Sequence, residues 1–315
     1  MTHTPLSIFS HASDAVARIT TLTWFMIILS AIIFCAVVGV MIAAILRNRR
    51  REATQVDLSE PGDRFVIWGG AILPGVVLVA IFIVALGAMR QFSPTAPALT
   101  IRVTGHQWWW QAEYLSADGR PAFRTANEIH IPVDHSVRVL LTSNDVIHSF
   151  WVPQLQGKLD AIPGDTTDLR LHARRTGTYS GACAEYCGQQ HAHMAFTVVV
   201  DDSVAYRTWL TRQSADGAAP SDSTTAAGRQ LFVTSECASC HTIRGTASLA
   251  DVGPDLTHVG SRLSIAAGTR PNSLGDLQGW IANPQALKPG TRMPTLRVYT
   301  GPELRALARY LQSLK

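Results

Sequence analysis

The sequence predicts a multidomain membrane protein: a two-helix transmembrane hairpin, a Greek-key β-sandwich or barrel, and a small all-α C-terminal domain. Three observations predict it. The stretches 22–46 and 65–89 carry no charged residue. Short β-branched runs follow from about 98 to 205. Beyond a small, polar connector the pattern becomes helical.

Each uncharged stretch exceeds the roughly 20 apolar residues that span a bilayer core as a helix. They account for the composition, 47% hydrophobic against 16% charged, which is low in charge for a soluble chain of 315 residues. Pro74 and the glycines of the second stretch are tolerated in a membrane helix. The first stretch is too long for a signal-peptide core, and its basic cluster follows it, so it reads as a retained span. Cys35 inside it reads as a plain apolar residue. The loop after it carries Arg47, Arg49, Arg50, Arg51 and Arg64, whereas only Arg18 precedes it. Positive residues stay cytoplasmic. Both termini and everything after Arg90 are therefore expected outside.

The runs "ALTIRVTG", "NEIHIPVDHSVRVLLTS", "TDLRLHA" and "AFTVVVDD" alternate or are β-branched, with turn residues between them. They predict a compact Greek-key sandwich or barrel. "TRQSADGAAPSDSTTAAG" reads as a linker. "PELRALARYLQSL" opens with proline at a helix start and places Leu304, Leu307, Ala308 and Leu311 on one face. The resulting division is 1–97 with the two spans, 98–210 as the β-domain, 211–225 as the linker and 226–315 as the helical domain.

"CASCH", Cys237 to His241, is a C-x-x-C-H haem attachment motif. Two thiols form thioethers to the porphyrin, and His241 binds the iron. "KPGTRMP" offers Met293 as the second axial ligand, and a Met/His pair raises the haem potential. A zinc or thioredoxin-like pair is the competing reading of the cysteines. It fits less well outside the membrane, with no second cysteine pair in this domain. "CASCHTIRGT", "GPDLTHVGSR" and "NPQALKPGTRMP" together resemble the class I cytochrome c family over residues 226–315.

"GACAEYCGQQHAHM", residues 181–194, packs Cys183, Glu185, Cys187, His191, His193 and Met194 into one loop. Outside the membrane a Cys183–Cys187 disulfide is open, but it leaves His191 and Met194 without a reason. Zinc would take Cys183, Cys187, His191 and one more histidine. Copper fits better, because thiolate, imidazole and a weak thioether on a β-sandwich are copper electron-transfer ligands. Two cysteines point to a bridged metal pair, each metal needing its own histidine. "NDVIHSFWVP" offers His148 as the second.

The pattern C-x-E-x-C-x-x-x-H-x-x-M, with "VIHS", "GHQWWWQAEY" and "KLDAIPG", resembles cytochrome c oxidase subunit II of the CuA type. The match covers roughly residues 15–210. With the C-terminal domain, the whole chain is similar to the fused subunit II of bacterial oxidases. That resemblance implies a cupredoxin-like fold and a binuclear copper centre, CuA. Cys183 and Cys187 would bridge the coppers, and His148 and His191 would each bind one. Met194 would be a weak ligand to one copper, and Glu185 would bind the other through its carbonyl. The Glu185 side chain would reach a magnesium ion shared with subunit I. Trp108 would be the point at which electrons enter, and a covalent haem c would occupy the C-terminal domain.

The implied function is electron delivery to the oxygen-reducing subunit I of a haem–copper oxidase, with proton pumping, in a bacterial inner membrane. The implied partners are subunit I, the other oxidase subunits, and cytochrome c or another periplasmic donor; nucleic acid is not among them. The inlet subunit of a nitric oxide reductase and a membrane-tethered electron carrier are the alternatives.

His106, His130, His135, His172 and His193 are expected not to be ligands. Trp108 and Trp110 are expected to face one side of a strand and Trp109 the other. Asp165 stands where the family often has arginine. Glu60 or Asp63 is a candidate for the acid that feeds a proton channel in some relatives.

Overall fold

The computed structural model describes residues 6–49, 62–90, 96–295 and 298–315. It forms two compact units, residues 17–95 and residues 1–16 with 96–315. Arg50, Arg51 and Glu60, used in the expectations above, lie outside the described residues.

The smaller unit is helical. Helix α1 (Asp14–Arg49) has no charge between Arg18 and Arg47. Helix α2 (Gly62–Ile67) passes through a π turn (Trp68–Ile72) into α3 (Leu73–Arg90). The π turn sits directly before Pro74, whose ring cannot donate the regular helical bond, and a widened turn accommodates that loss. Phe34, Val37, Leu73 and Phe82 are each more than half exposed. Both helical segments are long and apolar enough to cross a membrane. Asp63 sits in the first turn of α2.

The larger unit begins with ten strands: β1 (Leu99–His106), β2 (Trp109–Leu115), β3 (Pro121–Ala126), β4 (Glu128–Pro132), β5 (Val137–Ser143), β6 (His148–Trp151), β7 (Leu159–Ala161), β8 (Thr167–Leu171), β9 (Gly177–Cys183) and β10 (Ala195–Asp201). They make two five-stranded sheets, ordered β3-β2-β1-β5-β8 and β4-β10-β9-β6-β7. The β1–β5 and β4–β10 pairs are parallel, and the others are antiparallel. This is the expected Greek-key, cupredoxin-like build. Ile101, Val103, Trp110, Leu141, Phe150 and Val198 from both sheets are fully buried between them. The anticipated strand through the tryptophans starts one residue late. Trp108 lies in the turn before β2, while Trp110 is buried and Trp109 half-buried.

The segment before α1 is stitched to this sandwich. Ala12 N–H donates to Gln154 O at 2.9 Å, Ser13 Oγ to Leu155 O at 2.6 Å, and Arg174 N–H to Ala12 O at 2.7 Å.

Helix α4 (Ser203–Ser214) follows, capped by the Asp202 carboxylate, which accepts from Val204 and Ala205 N–H. The stretch expected as a linker, 211–225, is helical at both ends, since α5 (Ser223–Thr234) starts within it. Residues between them are tied down: Gly217 N–H donates to Arg244 O, and His258 Nε2 meets Ala215 O, each at 3.0 Å. Small polar composition suggested freedom there, but the bonds that hold it come from residues 27 and 43 positions away.

Helices α6 (Leu274–Ala282), α7 (Pro284–Leu287) and α8 (Gly301–Ser313) complete the C-terminal module. Helices α5 and α8 cross at Gly228, where a Cβ would fall 2.1 Å from Ala306 O; only glycine permits that approach. A Thr300–Glu303 capping box starts α8, which buries Leu307, Ala308 and Leu311 as its periodicity predicts, with Leu304 half-buried.

Beneath the sandwich, His130 is held between two carboxylates, Nδ1 to Asp201 at 2.6 Å and Nε2 to Glu128 at 3.2 Å, and stacks on Trp209. Burial opposes its protonation, but the two carboxylates outweigh it and raise its pKa above 6.5. The folded chain then holds this proton more tightly than the unfolded chain. The stabilisation is complete below the unfolded value and is lost as pH rises through the folded one. Calorimetric stability of the larger unit is therefore expected to fall as pH climbs above about 6.5, by about 2 kcal/mol for the charge-assisted bonds. His130→Gln should flatten that decline; an unchanged pH profile in the variant would show that another group causes it.

Candidate metal centres

The 181–194 loop closes between paired strands, since β9 and β10 are in register with Ala182 opposite Ala195. Its ends are tied by Cys183 N–H to Met194 O at 3.0 Å. A 3-10 turn (His191–His193) then brings His191 and Met194 back over the loop. His148 opens β6, which pairs with β9 so that Phe150 lies opposite Cys183. A residue 35 positions away in sequence thus arrives beside the loop.

The donors form a connected series. His148 Nδ1 is 3.8 Å from Cys183 Sγ, which is 3.8 Å from Cys187 Sγ. Cys187 Sγ is 3.5 Å from His191 Nδ1 and 3.8 Å from Met194 Sδ. The Glu185 carbonyl lies 3.2 Å from Cys183 Sγ, and the Glu185 side chain is exposed. Both cysteines are free thiols, separated by far more than the roughly 2.05 Å of a disulfide bond. Two ligands about 2.0–2.3 Å from one tetrahedral metal lie roughly 3.3–3.8 Å apart. These separations therefore suit soft metal ions held between neighbouring donors. His148, Cys183, Cys187 and Met194 are all buried.

The electrostatics point the same way. The Cys187 thiol, bonded toward Cys183, holds Cys183 far below the ordinary thiol range, at about 3. The same contact, with burial, pushes Cys187 up, because a second negative charge beside the first, and near Asp145, is disfavoured. The two can be thiolates at the same time only beside cations. Burial disfavours charge on His148, but bonds to Cys183 and Asp145 raise its pKa. Asp145 Oδ1 holds His148 Nε2 at 2.9 Å, which fixes the ring and aims Nδ1 at Cys183. Gly105 on β1 leaves room for that ring, since a Cβ there would fall 2.5 Å from its Cδ2. The sequence reading missed Asp145, although its position three residues before His148 was a signal.

In the C-terminal module Cys237 and Cys240 lie in and after a 3-10 turn (Glu236–Ser239). His241 donates from Nδ1 to Pro254 O at 2.8 Å, and burial keeps the ring neutral by lowering its pKa. That bond leaves Nε2 free as a metal ligand. Gln285 shapes the methionine loop, donating to Thr291 O at 2.7 Å and Met293 O at 2.9 Å. Cys237, Cys240, His241 and Met293 line one cavity of about 280 Å³ with Leu256, Ile265, Leu277 and Ile281. An apolar cavity bounded by two thiols, an imidazole nitrogen and a thioether fits a covalent haem.

The same cavity reaches His106, Gln107, Trp108 and Trp109 of the sandwich. Trp108 donates from Nε1 to Cys187 O at 2.9 Å. On its other side lies Gly290 of the methionine loop, at a φ of 84°, where a Cβ would stand 3.5 Å from the indole. His106 stacks on Trp109 at 4.3 Å, and burial lowers its pKa to about 4. His193 turns its ring to Gln190 at 2.8 Å. His135 meets the Val133 carbonyl at 2.7 Å, and neither ring belongs to the donor series. Asp165 is exposed, its carboxylate accepting from Thr166 N–H. Lys288, also unforeseen, inserts between the modules; burial draws its pKa down to about 7 while Cys187 opposes the shift.

Apolar helices long enough for a membrane, a sandwich with a thiol–imidazole–thioether cluster, and a C-x-x-C-H helical module define a membrane-anchored redox protein. Residues 115–202 match the family Cytochrome C oxidase subunit II, periplasmic domain, and residues 225–315 match Cytochrome c. Cytochrome c oxidase subunit 2 of Alkalihalophilus pseudofirmus is 32% identical over 297 residues, covering 92% of this chain and 85% of that protein. Its counterpart in Bacillus subtilis is 27% identical, covering 81% and 76%. A crystal structure of the periplasmic domain of subunit II of cytochrome oxidase of Bradyrhizobium japonicum is similar at 32% identity. It covers 38% of this chain and 95% of that one, with a TM-score of 0.35. The chain belongs to the cytochrome c oxidase subunit 2 family.

Proposed function

We propose that this chain is the electron-inlet subunit of a haem–copper terminal oxidase. It would work beside the oxygen-reducing subunit I and the other subunits of the complex, with a cytochrome or another periplasmic carrier as donor. The observation that carries this reading is the continuous donor series from His148 through Cys183 and Cys187 to His191 and Met194. Cys183, Cys187, His148, His191, Met194 and the Glu185 carbonyl would hold the copper pair, with the two thiolates shared between the ions. The exposed Glu185 carboxylate would be available to a magnesium ion shared with subunit I. Cys237 and Cys240 would carry the haem, and His241 and Met293 would hold its iron. Functionally the chain divides into an anchor, 1–97, a copper domain, 98–210, a connector, 211–225, and a haem domain, 226–315.

When bound, the copper pair and the haem supply one-electron transfer, which the whole complex couples to oxygen reduction and proton pumping. This chain's residues supply placement and dryness. Asp145 fixes the His148 ring, Pro254 fixes the His241 tautomer, and Gln285 fixes the Met293 loop. The stiff paired strands β6, β9 and β10 keep the donors from moving as charge changes. Trp108, bonded to the Cys187 carbonyl and facing the haem cavity, is the point at which electrons reach the copper loop. The stitching of residues 12–14 to the sandwich supports placing the N-terminus and both outer modules on the periplasmic side of a bacterial inner membrane.

Metal content and paramagnetic resonance of the purified full chain test this. Two coppers per chain are expected, with the hyperfine multiplet of one electron shared by two equivalent nuclei. Zinc, or the pattern of a single copper nucleus, would overturn the bridged pair.

A further inference from the structure

The methionine loop carries a buried lysine that the proposed function does not use. Lys288 is 2% exposed, whereas the chain's other two lysines, Lys158 and Lys315, are exposed. Its ammonium donates to Trp108 O at 2.6 Å, to His193 O at 2.8 Å and to Ala266 O at 3.3 Å. An ammonium has three donors, and carbonyls take all three. Two of these acceptors belong to the copper domain: one is Trp108 itself, and the other immediately precedes Met194. Removing an ammonium from water is costly unless hydrogen bonds replace its hydration. This one is fully rehoused only while the two modules are in contact.

The surrounding seam is polar and sets one register. Gln190 Nε2 donates to Pro289 O at 2.8 Å, Ala195 N–H to Ala267 O at 3.1 Å, and Leu263 N–H to the Glu128 carboxylate at 2.8 Å. Gly290 then lies beside the rim of the Trp108 indole. A seam of directed polar bonds around a buried ammonium closes in one geometry.

We propose that Lys288 is the docking pin of the haem module: set among the Trp108, His193 and Ala266 carbonyls, it fixes the methionine loop on the copper loop and closes the Trp108 surface to soluble donors. It is a positioning residue. The consequence for donors rests on the function proposed above; the pin itself does not depend on it.

Amine acylation of the metal-loaded full chain in detergent micelles, read peptide by peptide, tests the burial. Lys158 and Lys315 should react readily and Lys288 at least about tenfold more slowly, at the rate at which the seam opens. A Lys288 that reacts as fast as Lys158 overturns the proposal. Hydrogen exchange in Lys288→Met tests the pin. The Ala195 and Leu263 amides, which bond across the seam, should exchange about tenfold faster or more, because three carbonyls lose their donor. Thr197, whose amide bonds to Asn127 within the copper domain, should not change. Unchanged exchange at Ala195 and Leu263 overturns the proposal. A third readout separates pinning from general support. A soluble reduced cytochrome should reduce copper in Lys288→Met at a rate proportional to its concentration, a route closed in the parent chain. If Lys288→Met loads no metal, the acylation of the parent chain decides. If the copper assignment fails, the acylation and exchange readouts still report on the pin.

Discussion

Replacing Cys183 with serine is expected to abolish the shared-electron copper signal and to lower copper content from two ions per chain to one or none. Cys183 has His148 on one side and Cys187 on the other, so no other residue joins the two halves of the donor series. Its thiol is held at about 3, which makes it a ready thiolate. A serine hydroxyl is a hard donor that stays protonated at neutral pH, and soft copper sites select thiolate. Even changes in the groups that support metal ligands cost about 10- to 100-fold in affinity, and losing a bridging ligand should cost more. The haem module should be unaffected, because its core of Phe232, Ile243, Leu277, Tyr310 and Leu311 is separate from that of the sandwich. An unaltered haem spectrum beside a lost copper multiplet is the expected pair of results. Persistence of the multiplet in Cys183→Ser would remove this cysteine from the bridge.

Met293→His should lower the haem potential by on the order of a hundred millivolts or more, within the ~0.8 V range that axial ligands span. Imidazole favours the ferric state more than thioether does. The Gln285 side chain grips the loop through the backbone at Thr291, Met293 and Gly290, so the exchange should leave its course intact. Redox titration reads the shift, and the sulfur-to-iron charge-transfer band at the red edge of the ferric spectrum should vanish. If that band survives the substitution, Met293 is not the ligand.

The two apolar spans, the C-x-x-C-H motif and the loop from Cys183 to Met194 were legible because each is local. A bilayer reads a run of uncharged residues, and a covalent mount or a metal loop reads fixed spacings within a few positions. Helix α8 was legible for the same reason, its face being set by a 3.6-residue period and its start by Pro302 and the Thr300–Glu303 box. Strands β6 and β7, four and three residues long, were not foreseen, because segments so short hold no periodic signal. The pairing of Phe150 with Cys183 across β6 and β9 was equally invisible, yet it delivers His148 to the site. The need for one histidine per metal had singled that residue out, and the resemblance supported it, but its route to the site was not legible.

By itself the sequence determined the anchor, the order of the three modules, and which chemical groups are present for metal and haem. Tertiary structure alone decided that Asp145 orients His148, that the polar connector is tied down, and that Lys288 is inside. A lysine before a proline in a loop reads as a solvated charge. What overrides that default is three carbonyls drawn from two separate modules, and no one-dimensional pattern records where distant backbone oxygens converge.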